Sequence, residues 1–71
     1  MAEKQRNITI KTKNRISNKF QYGKAWTING LANEMNIHPY TIETAIYFLL
    51  LEDKIIRLDS STNGQLYIKN G

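Results

Sequence analysis

Five side chains over residues 40–47 could do recognition chemistry. Tyr40, Thr41, Glu43, Thr44 and Tyr47 fall opposite an apolar set formed by Ile42, Ala45, Ile46, Leu49 and Leu50, if residues 39–53 wind at 100° per residue. Hydroxyls and phenols on such a strip can both donate and accept hydrogen bonds, and the carboxylate can only accept. This is chemistry for contacting a surface, and the rest of the sequence supplies none for turnover. His38 is the single histidine, and beside Pro39 it reads as a cap or a surface residue. The chain has no cysteine, hence neither a disulfide framework nor a thiolate metal site. Its four glycines lie apart, at 23, 30, 64 and 71, and form no phosphate-cradling loop. Glu52 and Asp53 are adjacent, and adjacent residues on a helix do not face each other. Trp26 and the four tyrosines are scattered, unlike a stacking platform for single strands. No catalytic set, cofactor, metal or small-molecule ligand is therefore expected.

Charge gives the next constraint. The net charge is +4, from ten basic against six acidic residues. Residues 1–24 carry seven cations, among them Lys11, Lys13, Arg15, Lys19 and Lys24, against Glu3 alone. Residues 25–53 carry four carboxylates and no cation, and Lys54, Arg57 and Lys69 stand against Asp59 in the remainder. A basic N-terminal third suits a polyanion as well as it suits solvation. The longest apolar run, residues 45–51, is far short of the ~20 residues a membrane helix needs. The basic start is followed by no apolar signal core, so an intracellular location is expected. At 71 residues the chain fits one domain of marginal stability, which dimerisation would support.

The elements that position the strip follow from periodicity and punctuation. Residues 1–11 read as a flexible basic arm or a short strand, with Ile8 and Ile10 on one side. A first helix is expected over 12–22, capped by Thr12 or Asn14, with Ile16 and Phe20 on its inner face and Gly23 at its end. Trp26 is expected to turn inward from a short extended piece. A second helix, capped by Thr27 or Asn29, runs to about Asn36 and buries Ile28, Leu31, Ala32 and Met35. Asn36 suits a left-handed terminator. Pro39 opens the third helix, which runs to about Asp53. Strands at 55–58 and 65–69 flank a turn-rich loop containing Asn63-Gly64, with Leu66 and Ile68 on one face and Tyr67 on the other.

Helix, short strand, helix, tight turn, helix, hairpin: this order over residues 15–69 resembles the winged helix-turn-helix family. The residues that carry the likeness are Thr27, Leu31-Ala32, Asn36-Ile37, Thr41-Ile42 and the run from Leu50 to Arg57. Ala32 supplies the small side chain needed where two helices meet at about 120°. The family often has glycine at the exit into the wing, where this chain has Asp53 and Lys54. The resemblance implies a mainly helical α+β domain over 12–71, three helices and a C-terminal β-hairpin wing, used to bind double-stranded DNA in transcription regulation. It puts Tyr40, Thr41, Thr44 and Tyr47 in the major groove. It puts Lys24, Thr27, Lys54 and Arg57, with the wing-tip residues Ser61 and Asn63, on phosphates or the minor groove. The third helix offers no Arg or Lys for guanine, so its hydroxyls and rings lean toward A·T pairs. Glu43 is expected on the solvated rim. Phe48 and Leu51 project away from the inner face, and either the first helix and arm or a second subunit covers them; a homodimer through Phe48, Leu51, Ile8 and Ile10 is expected. The alternative is a protein-binding winged helix that uses Tyr40, Tyr47 and Phe48 within a transcription or replication assembly.

Overall fold

The computed structural model describes residues 9–58 and 64–71. Ile8, Ser61 and Asn63 lie outside them. Three helices precede a two-stranded antiparallel hairpin: α1 Ile10–Asn18, α2 Ile28–Met35, α3 Pro39–Leu51, β1 Ile55–Arg57 and β2 Tyr67–Lys69. This is the expected mainly helical α+β architecture, with a winged-helix-like order.

Helix α1 starts earlier than its sequence suggested. Thr9, not Thr12 or Asn14, is the N-cap, and its hydroxyl oxygen accepts the Thr12 N–H at 3.1 Å. Ile10 and Lys11 are thus helical and not part of an arm or strand. The β-branched residues that resembled a strand find no pairing partner there among the described residues, and a threonine followed by helix-compatible residues satisfies its own first turn. The helix also ends sooner, at Asn18, and continues as tighter turns in which Phe20 N–H bonds Ser17 C=O and Gly23 N–H bonds Phe20 C=O. Gly23, at φ 81°, then breaks the direction.

Helix α2 follows the expectation closely. The Thr27 hydroxyl accepts the Gly30 N–H at 2.9 Å, and Asn36 takes the left-handed conformation at φ 55°. A Cβ at position 30 would lie 3.0 Å from the Thr27 hydroxyl oxygen, so this cap leaves little room for the Glu or Gln of a capping box. Helix α3 is capped by His38, whose Nδ1 accepts the Tyr40 N–H at 3.0 Å, with Pro39 in the first turn. At its other end Asp53 N–H reaches Leu50 C=O and Lys54 N–H reaches Leu49 C=O. That is the paired closure of a Schellman motif, and Asp53 occupies its left-handed position at φ 59° without being glycine.

The core joins these elements. Ile16 and Phe20 from the α1 region meet Leu31 and Ala32 of α2 and Ile42, Ala45, Ile46 and Leu49 of α3, and Ile55 and Tyr67 close the cluster from the hairpin. The hairpin pairs Ile55 with Lys69, Ile56 with Ile68 and Arg57 with Tyr67. Both strands are shorter than expected, although Leu58 N–H still bonds Leu66 C=O. Tyr67 faces the core and Ile68 is half-buried. The reason is a third extended piece: Trp26 exchanges both backbone hydrogen bonds with Tyr67, at 2.8 and 2.9 Å. The Trp26 indole N–H donates to Lys19 C=O at 3.1 Å, tying that rung to the turns after α1.

Candidate nucleic-acid interface

The α3 periodicity that buries Ile42, Ala45, Ile46 and Leu49 turns the expected recognition strip outward. Tyr40 is 43% exposed and Tyr47 is 60% exposed. Thr41 and Thr44 are half-buried and Glu43 is exposed. The Thr44 hydroxyl donates to the Tyr40 carbonyl at 3.0 Å, so its oxygen remains as an acceptor toward solvent. Tyr47 sits edge-on to Phe48, with ring centroids 6.0 Å apart. Tyr40, Glu43, Thr44, Tyr47 and Phe48 together line a shallow groove of about 500 Å³. Its walls are rings and hydroxyls, with one carboxylate and no cation.

The fold sorts the cations into two groups. Lys13 Nζ lies 2.6 Å from Glu52, Lys19 Nζ lies 3.1 Å from Glu34, and Lys54 Nζ lies 3.8 Å from the other Glu52 oxygen. The Lys13 hydrogen bond holds the Glu52 carboxyl below the usual carboxylate range; partial desolvation opposes this, and the Lys13 and Lys54 charges add to it. Lys11, Arg15, Lys24, Arg57 and Lys69 form no ion pair among the described residues. Lys24 instead stands 4.1 Å from the centre of the Trp26 ring, a cation–π contact that keeps its ammonium at the surface. Because Trp26 pairs with Tyr67 and Tyr67 with Arg57, that rung links the segment holding Lys24 to the strand holding Arg57.

Of the residues expected at phosphates, Lys24 and Arg57 are exposed and have no carboxylate partner among the described residues, whereas Lys54 shares Glu52. Thr27 is half-buried and serves as the α2 cap. Of the residues expected at a subunit contact, Ile10 is 73% exposed and Leu51 64% exposed. Phe48 is half-buried, flanked by Ile10 of α1. Sequence reasoning missed the ion pairs: Lys13 with Glu52 and Lys19 with Glu34 join separate elements and leave no local trace, while Lys54 meets Glu52 from two positions away. It also missed Tyr22, which is 86% exposed just before Gly23. Among the described residues no three His, Cys, Asp or Glu side chains are placed to hold a metal ion, and no helix is long and apolar enough to cross a membrane.

No family model, curated protein or solved structure matches the chain. The winged-helix likeness is therefore one of architecture and local geometry.

Proposed function

We propose that the chain binds double-stranded DNA as a small transcription regulator. The observation that carries this reading is the sorting of cations: among the described residues Lys13, Lys19 and Lys54 meet carboxylates, whereas Lys24, beside the Trp26 rung, and Arg57 and Lys69 on the hairpin strands do not, and neither do Lys11 and Arg15 of α1. Unpaired, exposed cations on a wing suit phosphate contacts. In this reading the N-terminal half of α3 enters the major groove. Tyr40, Thr41 and Thr44 then meet base edges and thymine methyls, and Tyr47 meets phosphate. The workplace of such a protein is the cytoplasm, on the nucleoid.

Duplex affinity at two salt concentrations tests it. Neutralising several phosphates makes binding fall steeply with salt. Absence of any retarded duplex at low salt and about 100 µM protein, the weak end of the usual range for non-specific binding, would sink the proposal.

A second reading rests on the α3 groove. Its three rings and single carboxylate suit an apolar segment of another protein better than a polyphosphate. Salt-insensitive association with a protein partner, lost on Tyr47→Ala, would favour it.

A further inference from the structure

An asparagine followed by glycine is prone to react with its own backbone in water, because no side chain shields the glycine nitrogen from the asparagine side-chain carbonyl. The chain has three such pairs, Asn29-Gly30, Asn63-Gly64 and Asn70-Gly71. Asn63 lies outside the described residues. The fold treats the other two pairs differently. Gly30 N–H donates to the Thr27 hydroxyl at 2.9 Å in the first turn of α2, so the nitrogen that would attack is held in the helix cap. Gly71 N–H makes no hydrogen bond among the described residues, and the residue stands in open space at φ 92°. Asn70 beside it is exposed.

We infer that Asn70 is a site of spontaneous modification, deamidating to aspartate and isoaspartate, and that the α2 cap protects Asn29 from the same reaction. The Gly71 nitrogen gives its proton to solvent base and attacks Cγ of Asn70. A C–N bond forms and closes a cyclic imide, while the bond from Cγ to Nδ2 breaks and Nδ2 leaves as ammonia. Water then opens the imide at either carbonyl, which yields the two products. One water is consumed, one ammonia is released, and nothing is oxidised or reduced.

The consequence follows from what the lost amide does. Asn70 Nδ2 donates to Asp53 C=O at 2.8 Å, where α3 ends, and Asn70 N–H donates to Lys54 C=O at 3.0 Å. A carboxylate can only accept, and so can the carbonyl it would face, so the tie to Asp53 is broken. One amide becomes one carboxylate, and the net charge falls from +4 to +3. Lys54 and Lys69 line the same hollow as Asn70, so the new charge arises among cations. Lys69 then holds phosphate less well, a consequence that rests on the duplex reading; the modification itself does not.

The full chain, kept folded in mildly alkaline heavy-oxygen water and followed by peptide mass mapping, tests the inference. Asn70 should convert at least about fivefold faster than Asn29, the factor worth one cap bond. Its products should carry solvent oxygen and include isoaspartate. In urea the gap between the two sites should close, because the cap is gone. An unchanged Asn70, or equal rates in the folded chain, overturns the inference. So does a gap of the same size in urea, since flanking residues and not the fold would then set the rates. Aspartate without isoaspartate overturns the imide route. Asn70→Asp should lower duplex affinity, and Asn70→Ala, which removes the same bond without adding charge, should not; equal affinities would remove the consequence for Lys69. A chain that binds no duplex at all ends the DNA reading and leaves conversion at Asn70 untouched.

Discussion

Lys13 of α1 and Glu52 at the end of α3 stand 39 positions apart in the chain and meet at 2.6 Å. The contact joins the first helix to the exit of the third, and it sets the protonation behaviour of Glu52. A carboxyl whose folded pKa lies below its unfolded value adds stability above the unfolded pKa, near 4.3 for glutamate. That contribution is lost as pH falls through the lower folded value. Side-chain NMR titration should place the Glu52 midpoint below the ordinary glutamate value, and Lys13→Met should move it upward. Lys13→Met should also flatten the acid limb of melting temperature against pH. An unchanged Glu52 midpoint in Lys13→Met would show that Lys54, 3.8 Å away, is the controlling charge.

His38 caps α3 through Nδ1, which requires an unprotonated Nδ1 and, in the neutral ring, puts the proton on Nε2. Replacing it with alanine leaves the Tyr40 N–H without its side-chain acceptor and should cost about 1 kcal/mol in urea unfolding. His38→Asn should keep most of the stability, because a short amide oxygen can accept the same bond. Equal losses for both changes would mean that ring packing matters more than the cap.

Asp53 closes α3 in a left-handed conformation, where an L side chain is strained by roughly 1 kcal/mol. Its carbonyl accepts the Asn70 side-chain N–H at 2.8 Å, and that bond needs no side chain at position 53. Asp53→Gly should therefore stabilise the domain by up to about 1 kcal/mol, read from the denaturation midpoint at constant m-value. Destabilisation would reveal a role for the carboxylate that its exposed position does not suggest.

If duplex DNA is the partner, the two kinds of residue should behave differently. Lys24→Ala and Arg57→Ala should weaken every duplex alike and each reduce the slope of log affinity against log salt by about 1. Thr44→Ala and Tyr47→Ala should leave that slope alone and narrow the gap between preferred and random sequences. A fluorescence anisotropy series over four salt concentrations separates the two effects. Identical behaviour of all four variants would remove the assignment of α3 to base contact.

The interior of α3 and both ends of α2 were legible because their signals are local. A 3.6-residue spacing selects Ile42, Ala45, Ile46 and Leu49, and a hydroxyl at Thr27 and an amide at Asn36 make their bonds within one turn. The start of α1 was misplaced because isoleucine and threonine at 8–10 suit strand and helix alike. The inward side of β2 was open for a different reason. Leu66, Tyr67 and Ile68 are all apolar enough for a core, and Tyr67 is selected by Trp26, 41 positions earlier. Within the candidate site, the outward strip of α3 was readable from the same periodicity. The division of cations into paired and unpaired was not, because ion pairs such as Lys19 with Glu34 depend on helix packing that no local pattern encodes.

The backbone exchange between Trp26 and Tyr67 ties the middle of the domain to its last strand. Until residue 67 is available, Trp26 has no partner strand, and the side of the core that Tyr67 closes stands open to water. Synthesis intermediates, and fragments cut within residues 59–63, would hold three helices and an uncovered apolar face. Such species should be the ones that proteases and chaperones capture, so cellular abundance of this protein would depend on how quickly its final strand docks.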